Sequence, residues 1–252
     1  MNTYGTLLER ERVHLPAQAA PHCAIGRILV TNGRDWFVGT GALVRPRYVI
    51  TAAHVLANAT GGTITFGYDD GDTTGNAKRT VSLHRAAIPA AYPRQPGTDV
   101  GIAQLASEHR RPYGFHFNLR GRGRVREGAL ADLKGKHVTL AGYPGSGPAS
   151  PAERMPAPLG HQYDKTGPVY ECDSSRHAIQ YRFDTRGGES GSPLMIQTSG
   201  RLRLIGVHTS WTVAYDRQIG EGTLLTAAVR NWLEQAIYSL ETMPTETFLR
   251  AL

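Results

Sequence analysis

The sequence predicts an all-β chain that ends in one amphipathic α-helix, and three observations carry that prediction. Glycine (29 residues) and proline (15) are abundant, as many short strands joined by turns require. Short apolar runs bounded by turn residues recur along most of the chain. Near its end, Ala228, Val229, Trp232, Leu233, Ala236, Ile237 and Leu240 recur at helical spacing instead, which places one apolar stripe on a helix that docks on the second half of the molecule. With 252 residues, 40% of them hydrophobic, the chain is large enough for one big domain or for two small barrels sharing an interface.

In order, residues 1–20 read as an extended arm, and Ala24 to Val30, Trp36 to Leu43 and Tyr48 to Ala52 as strands. Ala53 to Asn58 reads as one short helical turn carrying His54. Thr63 to Gly67, Thr80 to Ile88 and Val100 to Leu105 are further strands. Asp69-Asp70-Gly71-Asp72-Thr73-Thr74-Gly75 lacks the later ligands and the closing glutamate of a calcium loop, so it is read as a surface hairpin with no metal. Residues 110–127 cross over to the second half, where His137 to Gly142 is a strand and Tyr143 to Leu159 a proline- and glycine-rich loop. Val169 to Cys172, Ala178 to Phe183, Pro193 to Gln197 and Leu202 to His208 complete the strands, the third-last of these alternating as a half-buried strand does.

One stretch points to chemistry. Gly187-Gly188-Glu189-Ser190-Gly191-Ser192-Pro193 sets a serine in a glycine frame that lets the backbone turn sharply. In such a turn the amides of Gly188 and Ser190 converge on one point and hold an oxyanion beside the hydroxyl. Upstream, Thr51-Ala52-Ala53-His54 follows an apolar run, and Thr98-Asp99 leads into another. A serine hydroxyl needs a base, and the base an orienting partner. The order His54, Asp99, Ser190 is one of the known chain orders of the serine triad. Ser192 is the lesser candidate nucleophile because no glycine pair precedes it, and Asp132 is the lesser candidate for the acid.

On these blocks the chain resembles the trypsin-fold (chymotrypsin-like) serine endopeptidases, and among them the bacterial glutamyl endopeptidases, which share the Gly142-Tyr143-Pro144-Gly145 turn. The likeness runs from about Arg12 to Trp232. It implies two six-stranded antiparallel β-barrels: an arm over 1–20, a first barrel over 21–118 carrying His54 and Asp99, and a second barrel over 119–252 carrying Ser190 and the terminal helix. It implies Ser190 as nucleophile, His54 as general base and acid, and Asp99 as the group that holds the imidazole. The substrate is then polypeptide, cleaved through an acyl-enzyme without metal or organic cofactor, by a monomer. His208, in Gly206-Val207-His208-Thr209, matches the pocket histidine that meets an acidic side chain, and Thr185 the hydroxyl that assists it. The implied preference is for Glu over Asp before the scissile bond. Asp184 lies where trypsin-like enzymes place the aspartate that binds Arg or Lys, which keeps basic cleavage as the alternative. A catalytically inactive binding module on the same fold and an esterase are the other readings.

The chain departs from its relatives where Ser210-Trp211 replaces a glycine-rich edge, and Trp211 there narrows the cleft or stacks on substrate. No cysteine follows His54, so a disulfide bracing that histidine is absent. In this fold Cys23 and Cys172 lie close enough for one disulfide; two buried free thiols are the alternative. Relatives are secreted, yet residues 1–12 hold no apolar core of a secretory signal: either the signal precedes the numbering or the chain is not exported by that route. Glu9-Arg10-Glu11-Arg12-Val13 is a charged candidate site for processing, set against the resemblance, in which a similar Arg-Val pair lies inside the mature chain.

The net charge is +7, mostly from arginine, since lysine occurs only at 78, 134, 136 and 165. The charge reads as a solvated basic surface, with long-range attraction of acidic substrates as the sharper alternative. The run Arg120-Gly121-Arg122-Gly123-Arg124 has no interleaved aromatics and is read as a solvated connection, not a nucleic-acid site. No apolar stretch reaches the ~18 residues a membrane span needs.

Overall fold

A computed structural model of the chain describes residues 13–14, 20–68, 79–107, 116–119, 127–145, 162–214, 217–242 and 248–251. The remainder of the arm with its processing site, the acidic turn 69–75, the arginine run 120–124 and the loop beyond Gly145 lie outside the described residues.

A short strand β1 (Val13–His14) comes first. Then β2 (Ile25–Thr31), β3 (Trp36–Arg45), β4 (Tyr48–Thr51), β5 (Gly61–Phe66), β6 (Arg79–Ile88) and β7 (Gly101–Leu105) form one antiparallel sheet in the order β6-β5-β2-β3-β4-β7. Pairing of β6 with β7 closes it into a six-stranded barrel. The second barrel is built from β8 (His137–Gly142), β9 (Tyr163–Asp173), β10 (Ala178–Tyr181), β11 (Pro193–Thr198), β12 (Arg201–Ala214) and β13 (Arg217–Leu224), closed by β8 against β9. Each barrel carries one extra strand at its edge: β1 lies on β9, and β14 (Leu249–Ala251) runs parallel to β6. The predicted double barrel is therefore the fold, and closure removes the open sheet edges that would otherwise recruit other chains.

The strand β13 was not foreseen. Its Gly220 and Gly222 lower strand propensity, but both are there for close packing. A Cβ on Gly220 would sit 2.2 Å from the Tyr181 ring, and one on Gly222 would sit 2.5 Å from Leu194. β10 alternates as predicted, with Ile179 and Tyr181 buried and Gln180 between them partly exposed.

The terminal helix (Ala227–Thr242) forms where the periodicity placed it, but it docks on the first barrel, not the second. Val229, Leu233, Ala236, Ile237 and Leu240 join the core formed by β2 to β7. Arg45 of β3 pairs with Glu234, and Arg85 of β6 donates to the Leu240 carbonyl. A helix's apolar stripe states that a partner exists but not which one. The second barrel keeps a smaller core of its own, including Leu130, Leu140, Val169, Tyr181, Leu194 and Ile205.

Thr40 of β3 stitches the barrels together. It is fully buried, its N–H donates to the Ser190 carbonyl at 2.8 Å, and its hydroxyl donates to the Gly188 carbonyl at 2.9 Å and accepts from the Tyr143 N–H at 3.0 Å. Cys23 and Cys172 are free thiols, which resolves the open disulfide question against a bridge; the Cys172 thiol donates instead to the Leu130 carbonyl at 3.0 Å.

Candidate active site

The buried strand β4 ends at Thr51, and the chain turns at once into a helix over Ala53–Leu56. Ala53, Val55 and Leu56 face the core and fix the turn, which leaves His54 as its exposed residue. Asp99 closes the loop before β7, a strand buried along its whole length. The two are joined twice: Asp99 Oδ1 accepts from the His54 backbone N–H at 2.9 Å, and Asp99 Oδ2 lies 2.8 Å from His54 Nδ1. This grip selects the tautomer with the proton on Nδ1 and leaves Nε2 as a base. The Asp99 carbonyl in turn accepts from the Thr223 hydroxyl of the second barrel at 3.2 Å.

Ser190 comes to this corner from the other barrel. Its carbonyl is held by Thr40, and Gly191, whose N–H donates to the His208 carbonyl at 2.7 Å, is wedged against the segment leading into His54. A Cβ on Gly191 would sit 2.0 Å from Thr51 Oγ1 and 2.9 Å from the Ala52 nitrogen, and its φ of +85° is left-handed. Gly188 also has a left-handed φ, +88°, and presses on the Gly142–Gly145 turn: its Cβ would lie 2.2 Å from the Gly145 nitrogen. Only glycine serves at these two positions. Ser192, by contrast, is fully buried beneath Gly142, and Asp132 is an exposed residue paired with Lys136 at 2.9 Å.

His208 is buried on β12. Burial pushes its pKa down to about 4, with the Lys165 and His54 charges acting the same way and the Glu189 carboxylate and the Glu221 carbonyl opposing. Its Nδ1 lies 2.5 Å from the Tyr181 hydroxyl and 3.0 Å from the Glu221 carbonyl. Thr185 is buried at 4% exposure, and its hydroxyl has no hydrogen-bond partner among the described residues. Asp184 is partly buried, with its carbonyl accepting from the Lys165 ammonium at 2.6 Å. Trp211 stands 54% exposed on the rim formed by β12 and β13.

Two residues here went unnoticed in the sequence. Tyr181 reads there only as an inward position of a strand. Lys165, one of four lysines, reads as surface, yet its ammonium is buried 2.8 Å from Glu189 Oε2. The single hint is Glu189 itself, a charge set inside the glycine frame.

Comparison with known proteins agrees with this architecture. Residues 39–207 match the family model of the trypsin-like peptidase domain, so the chain belongs to that family. It is 30% identical over 214 residues to a glutamyl endopeptidase of Bacillus licheniformis, a match covering 78% of this chain. The chain spans 60% of the length of that relative. Among solved structures it is similar to the protease Anisep of Arthrobacter nicotinovorans, with a TM-score of 0.66 and 16% identity, covering 90% of this chain and 100% of that one. That likeness is one of fold.

Proposed function

We propose that the chain is a serine endopeptidase with Ser190 as nucleophile, His54 as base and Asp99 as its orienting partner. The observation that carries this reading is the double grip of Asp99 on His54 beside a turn that two left-handed glycines force into shape. The Ser190 hydroxyl oxygen attacks the scissile carbonyl as His54 Nε2 takes its proton. Charge then develops on the carbonyl oxygen, which the N–H groups of Gly188 and Ser190 receive. Collapse expels the amine, to which His54 returns the proton, and leaves an acyl group on Ser190. Water, deprotonated by the same imidazole, hydrolyses the ester and restores the hydroxyl.

The substrate residue before the scissile bond is acidic, Glu ahead of Asp. Thr185 supplies the support: a buried hydroxyl without a partner is costly, and a carboxylate placed against it removes that cost. His208 Nδ1 donates to the Glu221 carbonyl at 3.0 Å, as does the Tyr181 hydroxyl at 3.2 Å, so Nε2 of the neutral ring is an acceptor that becomes a second donor by taking up a proton as the substrate carboxylate arrives. Similarity to a glutamyl endopeptidase points the same way.

The test is a peptide panel differing only at the residue before the cleaved bond, run with a fluorophosphonate probe. The expected result is Glu cut far faster than Gln, Lys or Arg, with labelling lost in Ser190→Ala. Equal rates for Glu and Gln overturn the acidic preference, and a probe that does not label overturns the enzyme.

A further inference from the structure

Among the described residues, five large apolar side chains stand well exposed, and two of them are neighbours at the start of β3: Trp36 at 61% and Phe37 at 49%. Single exposed apolar residues are ordinary, whereas two adjacent aromatics beside a cleft point to a contact surface. β3 pairs with β2 from Trp36 to Ala42, but with β4 only from Ala42 onward. Its first half therefore has one open edge.

Thr40 shows where that edge faces, since its N–H turns away from β2 and donates to the Ser190 carbonyl at 2.8 Å. Peptide groups alternate in direction along a strand, so those of Val38 and Trp36 face the same way as those of Thr40. Side chains alternate too. Trp36 shares a face with Val38, whose Cγ1 would lie 3.4 Å from a Cβ on Gly145. Phe37 shares the other face with Gly39, whose Cβ would lie 2.9 Å from Val55, the neighbour of His54. The two rings straddle the open edge.

This edge and the acid pocket lie on opposite sides of Ser190. The Gly191 N–H donates to the His208 carbonyl of β12 at 2.7 Å, while the Ser190 carbonyl accepts from β3. A substrate whose residue before the bond enters at Thr185 and His208 therefore carries its leaving half along β3. An extended chain advances about 3.3 Å per residue, and Val38 lies two residues along from the Thr40 contact. The second residue after the scissile bond then stands opposite Val38, the third opposite Phe37 and the fourth opposite Trp36.

We propose that Trp36 and Phe37 are specificity-determining residues for the leaving half of the substrate, an aromatic pair that takes large apolar side chains at the third and fourth positions after the scissile bond. The leaving half adds to β3 as an antiparallel strand, with its main chain on the Val38 and Trp36 peptide groups and its side chains over the two rings. The preferred substrate is then an acidic residue followed, two residues on, by an apolar pair in extended chain. The inference rests on the proposed peptidase reading.

The experiment uses three peptides with Glu before the bond. One carries Leu-Phe at the third and fourth positions after it, one carries Ser-Asn there, and one ends at the second position. The parent is expected to cut the Leu-Phe peptide with a kcat/KM about tenfold above that of the Ser-Asn peptide, the order that partial burial of one large apolar side chain yields, and to do so through KM. Trp36→Thr/Phe37→Thr is expected to melt like the parent, to cut the short peptide at the parent rate and to treat the two long peptides alike. Trp36→Phe/Phe37→Tyr is expected to restore the preference. A parent without the preference overturns the proposal, as does a Thr/Thr chain that keeps it. Should the Thr/Thr chain not fold, the single variants decide: Phe37→Thr is expected to lose the preference at the third position and Trp36→Thr at the fourth, and loss of neither overturns the proposal.

A parent chain inert toward all three peptides and toward fluorophosphonate sinks the enzymatic reading alone. Calorimetric binding to Ser190→Ala then decides: tighter binding of the Leu-Phe peptide than of the Ser-Asn peptide, lost with the two Thr changes, supports the aromatic pair, and equal binding overturns it. Sedimentation tests the other occupant of the edge, a second copy of this chain: a dimer in the parent that the Thr/Thr chain lacks overturns the proposal.

Discussion

The hydroxyl of Tyr181 and Nδ1 of His208 face each other at 2.5 Å inside the second barrel. Tyr181 is itself fully buried, and burial beside the Glu189 and Glu221 carboxylates drives its pKa well above the usual phenol value, so it stays a neutral donor. Burial keeps His208 uncharged near neutral pH.

That neutrality makes stability depend on pH. An unfolded histidine takes up a proton near pH 6.5, whereas His208 in the fold resists until about 4. Between those values the unfolded chain binds more protons, so stability falls as pH drops through the window and is flat above it. The loss assigned to His208 is about 3 kcal/mol. Melting temperatures of the parent and His208→Gln across pH 4 to 8 check this: the acid-side slope is expected to be shallower in the variant. Burial lowers His22 and His116 as well, so a residual slope of the same sign remains.

Thr185→Val keeps shape and removes the unpartnered hydroxyl. For a substrate with Glu before the bond, kcat/KM is expected to fall by about tenfold or more, the value of a hydrogen bond to a charged group. For a Gln substrate it is expected to change little. Folded stability is expected to hold or rise, because a buried orphan oxygen is gone. Kinetics on the two peptides and one melt read all three outcomes.

Asp99→Asn retains a side-chain acceptor for the His54 N–H but presents an amide to Nδ1, which favours the wrong imidazole tautomer. A kcat loss of about 10⁴-fold is expected, with substrate affinity largely kept. Single-turnover labelling by fluorophosphonate is expected to slow in parallel.

Glycines in the Ser190 frame are not equivalent. Gly188→Ala and Gly191→Ala meet backbone or Thr51 atoms at 2.2 and 2.0 Å with left-handed φ, and each is expected to cost about 2–3 kcal/mol. Gly187→Ala meets nothing within 4 Å and is expected to stay within about 0.5 kcal/mol of the parent. Denaturant unfolding of the three variants distinguishes them.

How much the sequence disclosed follows from what each signal encodes. Local patterns carried far: the turn holding His54, the strand Ala178 to Tyr181 and the helix over Ala227–Thr242 all lie where periodicity or motif put them. Long-range partnership did not show. The helix stripe was visible, but its seat on β6 and β7 depends on Arg45 and Arg85, far away in the chain. Lys165 and Glu189 are 24 residues apart, and nothing in either neighbourhood marks them as enclosed. β13 was hidden because Gly220 and Gly222, which lower strand propensity, are needed so that Tyr181 and Leu194 fit. Thr185 and His208 stood out only through resemblance to a family.

The return of the chain's last elements to its beginning has a consequence for assembly. β14 lies on β6, and the preceding helix packs its apolar stripe against the core of β2 to β7. An emerging polypeptide therefore finishes its N-terminal half only after its C-terminal half has been made. Severing the link between the halves would leave the earlier fragment missing its plug, and the later one with an oily rod and no socket. The two lobes are obligate companions, latched from behind.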